Sequence, residues 1–190
     1  MPRDGLMTVG NTIIEAPFAW HCRRHEIQLA YSTILGELSK RNNLLTIYRA
    51  PTILGHDMLY DDSEDCVTTA KNGNGQHWSI NDSRPAFDAA DFMRFGKTIV
   101  GKMSHVTNRM GVKLLQALLP DGYTVEIFNT TDESAMHIDA TLLLLRKRLI
   151  VYHPWRISEE ELRRHEVFRN WELHDYLFGP QIRDDTDLPL

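Results

Sequence analysis

A chain of 190 residues, 42% hydrophobic and 25% charged, has an ordinary globular composition and is long enough to bury a core, as one domain or part of a larger one. A net charge of −5 argues against a nucleic-acid or anionic-membrane surface, because both need clustered Lys and Arg. Two cysteines without spaced pairing, Cys22 and Cys66, argue against a disulfide framework and point to a reducing cytoplasm; the longest apolar run, Leu142 to Leu145, is too short to span a bilayer.

In chain order, Leu6 to Val9 and Thr12 to Glu15 read as two short strands joined by a tight Gly10-Asn11 turn, with Pro17 closing the hairpin. Ile27, Ala30, Tyr31, Ile34, Leu35 and Leu38 then recur at the spacing of one helix face. Basic residues and turn formers from Lys40 to Asn43 end that helix, and Leu44 to Tyr48 reads as a buried strand. The polar, Gly/Asn/Asp-rich stretch 51–84 reads as a long loop or insertion.

The order strand, strand, helix, strand then returns. Asp88 to Phe95 and Thr98 to Gly101 form a predicted hairpin around Gly96-Lys97, followed by a helix carrying Val112, Leu115, Leu118 and Leu119 and a strand from Tyr123 to Phe128. It begins a third time with His137 to Leu145, a turn at Arg146-Lys147-Arg148, and Leu149 to Tyr152. Ser158 with Glu161 is a capping-box signature, which predicts a helix through about Trp171; no closing strand is visible in the residue pattern. Three units of one type suggest a repeat architecture, with an ordinary α/β sandwich as the alternative.

One detail favours the repeat. Asp4, Asp88 and the pair His137 and Asp139 all stand at the first strand of their units. Units related by rotation would bring these positions to one pocket, and planar guanidinium suits carboxylates that pair bidentately. Other signals read as structural. His21 and His25 with Glu26 have metal-like spacing, but Arg23 and Arg24 oppose a metal and the segment reads as a polar helix face. His105, His153, His165 and His174 read as surface residues, Trp155 and Trp171 as core. Strand alternation puts Asp91 on the face opposite Asp88, in a structural hydrogen bond.

The same residues carry a family resemblance. Pro2-Arg3-Asp4, Val9 to Pro17, Phe87-Asp88-Ala89-Ala90-Asp91-Phe92 and Met136-His137-Ile138-Asp139-Ala140-Thr141 resemble the amidinotransferases, from Met1 to about Arg156. The resemblance implies an α/β pentein-type propeller of five ββαβ modules, of which about three are present. It also implies a ping-pong reaction in which a cysteine thiolate takes the amidino group of L-arginine and passes it to an amine acceptor, with no cofactor and no metal. His137 would be general acid and base and Asp88 would orient it. Met136, Asp4 and Asp139 would bind substrate, the two carboxylates at its guanidinium, and Arg156 would bind the substrate carboxylate.

The family nucleophile follows a glycine-rich stretch and a His-Cys pair, and no such stretch occurs in these 190 residues. The expectation is therefore a chain with the acid/base and guanidinium side of the site, no nucleophile, and no activity alone. Cys22 falls at a helix start and Cys66 beside Glu64 and Asp65, whose carboxylates would raise a thiol's pKa. Two other readings stand beside it: a non-catalytic binder of guanidino compounds, and one half of a split enzyme completed by a second chain. Uncovered strand edges and apolar faces would favour self-association or such a partner. The wording Pro2 to Leu6 is nearer the bacterial secondary-metabolite members of the family.

Overall fold

The computed structural model describes residues 2–51, 59–60, 80–131 and 136–176. Within them lie three three-stranded sheets, each from one ββαβ unit, ordered β1-β2-β3, β4-β5-β6 and β7-β8-β9. In the first, β1 (Leu6–Val9) pairs antiparallel with β2 (Thr12–Glu15), and Gly10 at φ +58° makes the turn between them. A π-helical stretch, Glu26–Tyr31, runs into helix α2 (Ser32–Arg41) after a short N-terminal helix α1 (Pro2–Gly5) has opened the chain. The crossover returns to β3 (Thr46–Tyr48), parallel to β2.

The second sheet repeats this with β4 (Phe92–Phe95), β5 (Thr98–Lys102), helix α3 (Arg109–Leu118) and β6 (Thr124–Phe128). The third has β7 (Leu142–Arg146), β8 (Leu149–Tyr152), helix α4 (Glu159–Arg164) and β9 (Glu172–Asp175). Its hairpin turns on Arg148 at φ 66° instead of a glycine, and the register shifts between Leu144 and Arg146.

Several expectations need correction. The closing strand of the third unit is present as β9, although only Leu173 among its four residues is apolar. The strand expected buried at Leu44 to Tyr48 is exposed: Leu44 is 70% accessible. The helix after Ser158 ends at Arg164, where His165 takes an extended backbone and its ring meets Glu126 of β6 at 2.5 Å. His165 is thus 13% exposed and stacked edge-on against Phe128, not on the surface. Trp155 is exposed, whereas Trp171 packs on Phe95 and Phe168 as expected of a core residue.

The cores lie between sheets. Met7, Val9 and Ile14 of the first unit pack with Phe87, Phe92, Ile99 and Leu115 of the second. Phe95, Val100 and Phe128 of the second pack with Leu142, Ile150, Leu162 and Phe168 of the third. Burying one such side chain contributes about 1.5–3 kcal/mol, so each sheet depends on its neighbour. A smaller cluster holds Leu59 and Ile80 against Ala19, Ala86 and Val106; the rest of the expected 51–84 loop, 52–58 and 61–79, lies outside the described residues. Among the described residues no helix is long and apolar enough to cross a membrane.

Candidate functional site

Each sheet is entered through a tight turn or short helix, and these three entries touch one another. They are α1 before β1, a 3-10 turn Ala89–Asp91 before β4, and a 3-10 turn Ile138–Ala140 before β7. Asp4, Asp88 and His137 therefore meet, with one ligand-type atom of each within 4.8 Å of the others. His137 Nε2 lies 3.4 Å from Asp88 Oδ2. Segments expected as strand from Asp88 and from His137 are these turns, and the strands begin at Phe92 and Leu142.

The His137 backbone has φ 63° and ψ 141°, a conformation costly for a residue with a side chain. Asp91 holds it: Oδ1 accepts from the His137 N–H at 2.9 Å, while Oδ2 accepts from Ser104 Oγ at 2.6 Å and from the Thr107 hydroxyl. Thr107 Oγ1 in turn accepts from the Asp88 N–H at 3.1 Å. Asp91 does make structural hydrogen bonds, but it lies on a turn instead of the opposite face of a strand. Burial pushes the Asp91 carboxyl upward, against the Ser104 and Thr107 hydroxyls and the Lys102 charge.

Burial likewise pushes Asp88 up, to about 6; the Arg23 charge opposes the rise, Asp91 adds to it, and the His137 contact opposes it. Arg23 comes from a short 3-10 turn, His21–Arg23, within the segment expected to be a polar helix face. Its Nη2 donates to Asp4 Oδ2 at 3.0 Å and its Nη1 to Asp88 Oδ2 at 3.3 Å. The cluster of Asp4, Asp88 and His137 thus already holds a cation, which argues for a guanidinium-compensated carboxylate pair over metal coordination. Asp88 Oδ1 is buried and accepts no hydrogen bond among the described residues. Sequence reasoning missed Arg23; the i, i+3 spacing of Arg23 and Glu26 signals the pair between them but not the contacts with Asp4 and Asp88.

The other expected residues sit around this centre. Asp139 is ion-paired with Arg3, both partly exposed. Arg156 Nη1 donates to the Ala140 carbonyl at 2.6 Å, and Asp139 and Arg156 share a cavity of about 620 Å³ walled by Leu142, Leu143, Leu145 and Val151. Met136 is half-buried and packs on the cluster of Ala19, Leu59, Ile80, Ala86 and Val106. His25 is exposed, and Glu26 pairs with Arg23. Cys22 is exposed and its thiol is outside the convergent group; Cys66 lies outside the described residues.

No family model matches the sequence. The chain is 36% identical over 172 residues to the L-arginine:L-lysine amidinotransferase of Pseudomonas savastanoi pv. phaseolicola, covering 90% of this chain and 45% of that protein. It is 38% identical over 162 residues to the mitochondrial glycine amidinotransferase of Danio rerio, covering 82% and 37%. Among solved structures it superposes on an amidinotransferase of the saxitoxin biosynthetic pathway from Microseira wollei with a TM-score of 0.78 and 33% identity, covering 92% and 46%. The chain spans less than half the length of each.

Proposed function

The chain belongs to the amidinotransferase family and has its pentein-type fold, and from that premise we propose that it takes part in moving an amidino group from L-arginine to an amine. The observation that carries this reading is the convergence of His137 and Asp88, from separate modules, beside a carboxylate pair that already accommodates a guanidinium, that of Arg23. Asp88 Oδ1, buried without a donor among the described residues, suits an N–H of the bound amidino donor. Asp139 would take a second guanidinium edge in exchange for Arg3, and Arg156 across the same cavity would meet the carboxylate of the amino acid.

In this reading a thiolate attacks the guanidinium carbon, His137 Nε2 gives its proton to the departing amine, and ornithine leaves. The neutral imidazole then takes a proton from the acceptor amine as that amine attacks the amidino carbon, and the thiolate departs. Asp88, ionised above pH 6, stabilises the imidazolium. With Cys22 outside the convergent group, and Glu64 and Asp65 unfavourable to a thiolate at Cys66, we assign the nucleophile to a cysteine other than these two. No step needs a metal or cofactor. A second reading, favoured by the same placement of Cys22, is a site that binds guanidino compounds without chemistry.

Calorimetric titration with L-arginine tests the assignment. Saturable heat is expected, with Asp139→Ala weakening binding at least tenfold, about 1.4 kcal/mol. Equal affinity in wild type, Asp139→Ala and His137→Ala would place the binding elsewhere. Intact-mass analysis after incubation with arginine separates the thiolate assignment: an amidino adduct on Cys22 or Cys66 would overturn it.

A further inference from the structure

Arg23 is the least expected member of the site, and its surroundings explain why it cannot swing aside. Glu26, one helical turn on, accepts from Nε at 2.9 Å and from Nη2 at 3.1 Å. The guanidinium carbon sits 4.3 Å from the centre of the Phe18 ring, so one face is stacked. With one edge and one face fixed by its own module, the remaining edge is aimed. That edge meets Asp4, from the entry to the first sheet, and Asp88, from the entry to the second.

We propose that Arg23 is a positioning residue of this site: its guanidinium ties Asp4 to Asp88 and fixes the Asp88 oxygen that faces His137. Arg23 Nη1 and His137 Nε2 share the same acceptor, Asp88 Oδ2, at 3.3 and 3.4 Å. A planar fork held on two sides fixes that oxygen in direction as well as in charge, which a point charge on a flexible stem does not. The arrangement also leaves Oδ1, which has no donor among the described residues, as the oxygen for an incoming ligand.

The charged and titratable groups around Asp88 are Asp4, Arg23, Tyr60, Asp91 and His137, with Glu26 behind Arg23. Of these, Arg23 is the largest influence that keeps Asp88 ionised against its burial. Removing it should therefore raise the pH at which Asp88 takes up a proton. A role confined to holding the fold would leave that pH where it is.

This inference rests on Asp88 and His137 being the acid/base pair, but its test needs no amidino donor and so stands apart from whether the chain transfers anything. The experiment is a carbon NMR titration of the 190-residue chain labelled at aspartate Cγ, with Asp88 assigned from Asp88→Asn. Arg23→Met should raise the Asp88 midpoint by about one pH unit or more. Arg23→Lys keeps a charge but cannot reach Asp4, Asp88 and Glu26 together, and should raise it by about half a unit. Amide spectra establish that each variant is folded; if Arg23→Met is not, Arg23→Lys decides. A folded variant whose Asp88 titrates at the wild-type midpoint would overturn the proposal.

Discussion

Asp88 keeps its charge at a cost to stability. Its pKa in the folded chain, about 6, lies above the ordinary carboxylate value of 3.8, so the folded state holds the proton more tightly than the unfolded one. Stability from this group is full below pH 3.8 and is lost as pH rises through 6. The gap between those two values corresponds to roughly 3 kcal/mol. Asp88→Asn is neutral throughout, so its stability relative to wild type should rise by on the order of 2–3 kcal/mol between about pH 4 and pH 7. Urea unfolding of both proteins at the two pH values reads this difference; parallel pH profiles would refute it. The meeting of Asp88 with His137 was legible in the sequence because each lies in a long motif. Arg23 was not, because the carboxylates that give it a role are 19 and 65 residues away and only the fold brings them near.

At the scale of elements, the first two hairpins were readable from glycine: Gly10 and Gly96 both take positive φ at their turns. The start of α3 was less visible. Asn108 caps it by accepting from the Gly111 N–H at 2.8 Å, and the same side chain donates to the carbonyls of Asn81 and Arg84. The chain leading to Asp88 is thereby pinned to the helix. Gly111 lets the two backbones touch, since a Cβ there would fall 2.0 Å from the Ala86 carbonyl oxygen. Gly111→Ala should therefore destabilise the chain by ~2–3 kcal/mol despite the better helix propensity of alanine. A denaturation midpoint equal to or above wild type would show that the contact yields. β9 escaped detection in the sequence for a different reason: parallel pairing with β8 supplies its backbone partners, so its side chains Glu172, His174 and Asp175 need no apolar pattern.

For the whole molecule, the shared cores explain why the units belong together, and the apolar residues left over show where more contact could form. Leu143 and Leu145 on β7, an edge strand, are 47% and 56% accessible and wall the cavity that holds Asp139 and Arg156. Such an edge invites pairing with another chain. We expect concentration-dependent association of the wild-type chain, reduced in Leu143→Ser/Leu145→Ser, by sedimentation velocity across a hundredfold range of concentration. Association unchanged by the pair would exclude this edge as the contact.

The three entries to the sheets are far apart along the chain, and that has a temporal meaning during synthesis. Asp88 and His137 are 49 residues apart, and Arg3 and Asp139 are 136. A nascent chain that has emerged only through β6 can already gather Asp4, Arg23 and Asp88 into a cluster whose charges compensate one another, because all three precede that strand. The histidine that would carry the proton is translated afterwards. Asp4 and Asp88 are thus translated together with their arginine before the histidine they face, and the apolar walls of the adjoining cavity, Leu142, Leu143, Leu145 and Val151, come later still.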